Sequence, residues 1–443
     1  MNKRRSIKKR KYELNKLKKA MRELNKKNRK NSTRTRASIF IEYCTDVIDL
    51  LSNARFENSK KITLKHKVVI NIPTIFAFSE NPDVVISTLK EIYNYGMNTK
   101  VKEIHFDHSK CIKLGIAAST VMDVIVVGIK TYRKKIKQTI SFSGYILENS
   151  PINNILLASG IIKHLNAYTG IRLNQDNIKL FKLHAGKNNS QKSDMVATNL
   201  KEYFENCLST QGYRLDDVGA NYLGKMFGEV INNCEIHGGM RSIWYTLGHY
   251  EILKDEKYGE FHLVIFNFGD SIYERINAKE TTKEIQELLN KMDNIHKKHY
   301  NSKWNKEAMY TVFSLQEGIS RLKDRNIPGN RKRGTGTIRL MESLNAIGLT
   351  QTGKEPELTI TSGNISIKFS KQYKLNAIKF NDNIMGNNER KIIAFNKDND
   401  IYQPADSNNV KIIEEHFPGT VISMEFYLDR KYLHKFERSK KYD

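Results

Sequence analysis

Hydrophobic periodicity switches back and forth between strand-like and helix-like along the first half of the chain, and that alternation restricts it to an α/β fold. Residues 67–73, KVVINIP, are rich in β-branched side chains and end in proline, which predicts a strand. A helix is predicted over 81–95, opened by Asn81-Pro82-Asp83, and a short alternating strand over 101–106. There follow a long apolar helix at 115–130, a short strand at 140–143 and a helix at 153–165. Strands separated by helices return to the same end of a sheet each time, so a mostly parallel sheet is expected. A chain of 443 residues has room for two or three domains and can bury a core without disulfide or metal staples.

Four cysteines, Cys44, Cys111, Cys207 and Cys234, lie far apart with no CxxC pair. That spacing argues against a zinc ribbon and a disulfide framework, and no Cys or His pattern predicts a metal site. The chain opens with charge and no apolar run behind it, so no signal peptide is expected. Residues 112–129 are the most apolar stretch but carry Lys113 and Asp123. A spanning helix needs about 20 apolar residues nearly free of charge. A buried helix, no transmembrane segment and a cytoplasmic location are therefore expected.

Charge is spread unevenly. Of the formal +26, residues 1–36 hold 17 Lys or Arg against 2 Glu, a local +15, which leaves +11 for the other 407 residues. Ile7, Leu14 and Met21 recur at heptad spacing with Leu17 and Leu24 between them. This arm reads as a basic helical or disordered extension with a narrow apolar stripe. By charge its partners are nucleic-acid phosphates, an anionic membrane surface or an acidic protein, the alternative being a solvated tail. Residues 28–36 read as linker and 37–60 as a connecting helix, with Ile39, Ile41, Cys44, Val47, Ile48 and Leu51 on one broad face.

A strand ending near Asp107, a short loop and a long apolar helix make residues 61–190 resemble the STAS-like domains found beside bacterial regulatory ATPases. Partner-switching STAS domains carry a phosphoacceptor hydroxyl at the start of that helix. Here Ser119 and Thr120 fall inside the apolar run and Ser109 is the loop candidate, so the fold is carried over and the phosphorylation is not.

In the second half, amphipathic helices are predicted near 194–208 and 214–237, then an antiparallel strand pair at 243–250 and 261–266. A helix at 279–299 lies in a long polar insertion, and another helix spans 337–346. Strands at 358–361 and 365–369 read as a hairpin around Ser362-Gly363-Asn364. Residues 374–416 read as a polar insertion, and 421–428 as the last strand after Pro418-Gly419-Thr420.

Three short patterns fall in order on these elements. In EVINNCEIH (229–237), Glu229 and Asn233 are four apart on a helix and project from one face. An Asn oxygen beside a carboxylate suits a hard cation such as Mg²⁺. In FNFGDS (266–271), Asn267 leaves a strand into a turn where Gly269 lets the backbone approach a ligand closely. In RKRGTGTI (331–338), two glycines open a helix whose free N–H groups favour phosphate. Read singly, each pattern is equally a polar helix face, a plain turn or a loop.

Taken in order, they resemble the N, G1 and G2 boxes of the GHKL ATPases, the family of DNA gyrase B, Hsp90, histidine kinases and MutL. The resemblance covers about 194–370. It implies that a STAS-like α/β domain is followed by a GHKL-type α/β sandwich at 191–443, a mixed sheet with helices on one face, with a lid at 273–333 and an insertion at 374–416. ATP and Mg²⁺ are the implied cofactors. Glu229 would activate the attacking water, Asn233 would bind Mg²⁺ at the phosphates, and Asn267 would meet the adenine amino group beside Gly269 and Ser271. Arg333, Gly334, Thr335, Gly336 and Thr337 would line the triphosphate under the lid. The family's DxGxG is here Asn267-Phe268-Gly269-Asp270-Ser271, so an uncharged amide oxygen accepts from adenine.

Three functions fit that resemblance. One is a Mg²⁺-dependent ATPase acting as a nucleotide-driven conformational switch in a bacterial regulatory or defence system. Another is an anti-sigma-type serine/threonine protein kinase, in which Glu229 activates a partner's hydroxyl. The third is an ATP-regulated effector that binds nucleic acid through residues 1–36. No His-Glu/Asp pair opens a helical hairpin ahead of this module, which argues against a histidine kinase, and His237 reads as structural or near the phosphates. Oligomeric state is left open, a homodimer included.

Overall fold

A computed structural model describes residues 43–57, 65–145, 152–159, 178–188, 190–210, 212–252, 259–320, 336–347, 356–370, 372–373, 375–382, 384–385, 389–426 and 433–435. The basic arm at 1–36 and three expected phosphate-loop residues, Arg333, Gly334 and Thr335, lie outside the described residues.

In the first half, α1 (43–53) precedes β1 (Lys67–Asn71), β2 (Ile75–Phe76), α2 (Pro82–Met97), β3 (Glu103–Asp107), β4 (Lys113–Leu114), α3 (Ile116–Lys135), β5 (Ser141–Tyr145) and α4 (Asn153–Ser159). β1, β3 and β5 form a parallel sheet in that order, with Ile70 opposite Phe106 and Ile104 opposite Phe142. β2 and β4 make a separate parallel pair. The parallel arrangement is the one that the strand–helix alternation predicts. Ser119 and Thr120 are fully buried in α3, where Ser119 Oγ donates to Ser159 Oγ (2.8 Å) and Thr120 Oγ1 to Ile116 O (2.7 Å).

The second half runs β6 (Ile178–Lys187), α5 (Ser193–Thr210), β7 (Tyr213–Leu215), α6 (Asp217–His237), β8 (Ile243–Glu251), β9 (Glu260–Phe268), α7 (Ile272–Ile276), α8 (Lys283–His296), a 3₁₀ turn (Lys297–His299), α9 (Lys306–Ser314), α10 (Gly336–Ile347), β10 (Glu357–Phe369), β11 (Asn376–Lys379), β12 (Glu389–Ile392), β13 (Val410–Phe426) and β14 (Leu433–Lys435). Five strands form one sheet in the order β10-β13-β9-β8-β6. All four of its pairings are antiparallel, where a mixed sheet was expected. Its edge strand β6 belongs to this sheet, which therefore begins before the boundary expected at 191.

Helices cover both faces of this sheet, not one. On one face Leu200 and Phe204 of α5, Leu223 and Phe227 of α6 and Leu340 of α10 pack with Phe261, Leu263 and Ile265. The Phe204 ring stacks on Phe261 at 3.9 Å, and burying such a side chain contributes about 1.5–3 kcal/mol. On the other face Val121 and Ile125 of α3 share a core with Tyr245, Leu247, Val264 and Phe266. The reason is in the strands themselves: β8 and β9 are apolar at both parities and buried along almost their whole length, the signature of a sheet covered twice.

Two expectations in the last hundred residues are corrected. The expected hairpin at 358–369 is a single strand, β10, paired with β13 on both sides of Gly363. Ser362-Gly363-Asn364 has turn chemistry, but Gly363 (φ +59°) uses it for a bulge at which the register shifts. The last strand correspondingly starts at Val410, inside the segment read as a polar insertion, and runs through Pro418. Pro418 lacks an N–H and sits at the irregularity, its carbonyl accepting from Gly269 N–H (3.2 Å).

The two insertions pack on each other. Gln316 Nε2 donates to Ile393 O (3.0 Å) while Gln316 Oε1 accepts from Ile393 N–H (2.8 Å). Buried His296 accepts from Trp304 Nε1 (3.0 Å) at Nδ1, which leaves Nε2–H to donate to Ile401 O (3.0 Å). Residues 273–320 of the expected lid thus share a core with 375–409, and the remainder of that lid, 321–333, lies outside the described residues. Among the described residues no helix is long and apolar enough to cross a membrane, and all four cysteines are buried free thiols.

Arg133 closes the first half from inside. Its guanidinium is fully buried with no carboxylate partner among the described residues, and it donates to the carbonyls of Gly96 (2.9 Å), Asn98 (2.8 Å), Val101 (3.1 Å), Thr139 (3.3 Å) and Thr99 (3.4 Å). It joins the end of α3 to the α2–β3 connection and to the approach to β5. Arg133→Met removes these donors at once and leaves buried carbonyls unpaired, so urea unfolding is expected to show a loss of about 3–5 kcal/mol. Arg133→Lys, with three donors and no planar fork, recovers only part of it.

Candidate functional site

On the sheet face opposite α3, a cleft of about 1090 Å³ opens among α5, α6, α10 and the strands β9, β10 and β13. Four of the residues singled out in the sequence line it together: Glu229, Asn233, Asn267 and Thr337. The first two come from α6. That helix starts at an Asp216 cap, whose carboxylate accepts from Gly219 N–H (2.6 Å), and Asp217 adds negative charge to its first turn. Leu223, Phe227, Val230, Ile231 and Cys234 bury its apolar stripe, which leaves Glu229 and Asn233, both half-buried and one turn apart, on the cleft side.

Glu235 fastens α6 to α5. It is 2% exposed and accepts from Ser190 Oγ (2.5 Å), Ser193 N–H (3.0 Å) and Lys192 N–H (3.4 Å). Burial pushes its pKa up, but the hydrogen bonds from Ser190, Ser193 and Lys192 outweigh it and hold the carboxyl below its ordinary value.

Asn267 follows the parity of Leu263 and Ile265 along β9 and so faces the cleft. It is 2% exposed, and its Nδ2 has no hydrogen-bond partner among the described residues. Gly269 has φ +148°, and a Cβ there would collide with Gly238 O; the glycine serves the close packing of this turn against the end of α6. Asp270 N–H then donates to that same Gly238 O (3.0 Å). Ser271, which stands where the family pattern has its second glycine, does not line the cleft. Its hydroxyl accepts from Glu274 N–H (3.2 Å) while Glu274 Oε2 accepts from Ser271 N–H (2.7 Å), a capping box that starts α7. Ser362 Oγ accepts from Ile272 N–H (2.9 Å) and donates to Gly419 O (3.0 Å), so the β10–β13 bulge positions α7.

Gly336 is the first residue of α10, and Thr337 and Arg339 reach the cleft from its opening turn. The Arg339 guanidinium donates to the Glu229 carboxylate across the cleft, a pairing that sequence spacing did not reveal. Its one signal was position, a turn into the helix that the glycines open. Arg275 and Asp270 form a second ion pair in the lining (3.1 Å), Lys201 is paired with Glu205 (3.7 Å), and Lys225 and Asp194 add one charge of each sign.

As a donor set, the cleft offers an amide oxygen and a carboxylate to a hard cation, several cations to phosphates, and a buried amide with an unused donor to a polar ring. These residues fit a Mg²⁺–nucleotide. No protein-family profile, no curated protein and no solved structure matches the chain.

Because the folded-state pKa of Glu235 is lowered, its stabilising contribution is present above the ordinary glutamate value of 4.5 and is lost as pH falls through the folded value. Glu235→Gln is expected to cost about 1–2 kcal/mol near pH 7. In urea unfolding followed from about pH 7 to about pH 3, the gap to the native chain should close.

Proposed function

We propose that this chain is a GHKL-type ATP-binding protein, a Mg²⁺-dependent ATPase acting as a conformational switch in a bacterial regulatory or defence system. The observation that carries the proposal is convergence: segments around 229, 267 and 337, read separately in the sequence as the three boxes, line one cleft. Asn233 is the oxygen ligand offered to Mg²⁺, which would supply charge neutralisation at the phosphates. Asn267 receives the adenine, and the start of α10 at Gly336 receives phosphate. Glu229 takes the proton from the attacking water.

In the form described, Glu229 is held by Arg339. Arg339 occupies one oxygen of that carboxylate, so freeing both for water requires release of the guanidinium, and the first turn of α10 carries both Arg339 and the phosphate-facing backbone. Phosphate binding and release of the base are thereby linked to movement of one helix. This linkage supports the switch over a simple hydrolase.

Calorimetry on the native chain should show saturable ATP binding that requires Mg²⁺ and is removed by Asn233→Ala. Glu229→Gln should keep that binding and lower phosphate release by about 10²–10⁴-fold. Absence of nucleotide binding in the folded native chain contradicts the proposal. Phosphate release that appears only with a protein substrate would favour the kinase. The +15 charge over 1–36 supports a further reading, an effector binding nucleic-acid phosphates through that arm. It predicts an affinity that falls steeply with salt and disappears when residues 1–36 are deleted.

A further inference from the structure

On the α3-facing side of the five-stranded sheet, away from the cleft, a second polar cluster interrupts the core. β8 carries His249 and Glu251, and β9 carries Glu260 and His262. The register sets His249 opposite His262 and Glu251 opposite Glu260, and Glu425 of β13 opposite His262. Residues two apart on a strand share a face, as do residues directly opposed, so all five side chains gather on the face that Leu247 and Val264 present to α3.

The two imidazoles stack with ring centroids 4.3 Å apart. His249 is fully buried, and among the described residues neither of its ring nitrogens has a hydrogen-bond partner, nor does Nδ1 of His262, which is 9% exposed. Glu251 Oε2 lies 3.8 Å from His249 Nε2, Glu260 Oε2 lies 3.4 Å from His262 Nε2, and Glu425 Oε1 lies 3.7 Å from His262 Nδ1. Buried orphan nitrogens beside carboxylates call for a ligand that accepts lone pairs, since an unpaired buried polar atom is costly. Lys113, which also acts on Glu425, is itself paired with Glu80.

We infer that His249, Glu251 and His262 bind a divalent transition-metal ion of the zinc class, with Glu260 and Glu425 as flanking carboxylates. One ligand atom from each of the three lies within 4.8 Å of the others. Tetrahedral ligands at about 2.1 Å from zinc stand about 3.4 Å apart, so side-chain adjustments of about 1 Å close the set. Two imidazoles and a carboxylate favour zinc, cobalt or iron over Mg²⁺ or Ca²⁺. Asn154 Nδ2 donates to Glu251 Oε1 (2.7 Å), which leaves the other oxygen to the ion and ties α4 to the sheet. The carboxylates are 19–25% exposed, so the site is open to solvent on their side. The ion would cross-link β8 and β9 at one end of the sheet, with α4 tied in through Asn154. This site is independent of the nucleotide cleft.

The test is titration of the full chain, freed of metal with a chelator, with Co²⁺ in the absence of nucleotide. One equivalent should bind with visible d–d absorption, be displaced by Zn²⁺, and raise the melting temperature. Glu251→Gln and His249→Gln should each weaken Co²⁺ at least about tenfold, Asn154→Ala should do so by about tenfold, and Asn233→Ala should leave it unchanged. Should His249→Gln fail to fold, the partly exposed Glu251 variant decides. No bound Co²⁺ in a native chain folded by circular dichroism overturns the site. So does binding that survives Glu251→Gln, or that is lost in Asn233→Ala.

Discussion

Everything else in this molecule is arranged around the burial of α3. From Ile116 to Ile129 only buried residues appear, with Asp123 alone carrying charge, so the helix has no face it can show to water. A helix of that kind needs apolar partners on all sides. Here α1 and α2 supply one part and the second sheet supplies another, through Tyr245, Leu247, Val264 and Phe266. Its last turn is then held by Arg133 and five carbonyls. The two halves of the chain therefore share a core, and the face of the five-stranded sheet that α3 does not cover is the one on which the cleft forms.

Much of this was legible in the sequence, and the failures have physical causes. Long elements with a strong period, such as α2, α3, α6 and β9, fall within a few residues of their predicted spans. The helical coverage of the sheet was misjudged because β8 and β9 were read as strands without asking which parity was apolar. Trp244, Tyr245 and Leu247 with Phe261, Leu263, Val264 and Phe266 are apolar at both, a pattern that itself points to two covered faces. Ser362-Gly363-Asn364 is written like a hairpin turn, and only pairing with the distant β13 makes it a bulge. β11 and β12 are four residues each and mostly not buried, too short for periodicity to register.

The site divides along similar lines. Glu229 and Asn233 were readable because both come from one helix, where spacing alone fixes a shared face. Asn267 was readable as a strand end running into glycine. Ser271 was assigned to the ligand by analogy, whereas its hydroxyl is consumed by the capping box with Glu274. Arg339 and the His249–Glu251–His262 cluster could not be found from spacing, since the first depends on a contact between helices far apart in the chain and the second on the exact register of two neighbouring strands. HxE on one strand and ExH on its neighbour carry no signal until the register sets them face to face.

The central claim is that one nucleotide holds α6, the β9–α7 turn and the start of α10 together. Hydrogen–deuterium exchange of the full chain, with and without Mg²⁺–ATP, tests it most directly. The account predicts coordinated protection at 217–237, 267–276 and 336–347, with little change in β1, β3 and β5. Protection confined to one of the three segments, or none in any of them, would contradict it.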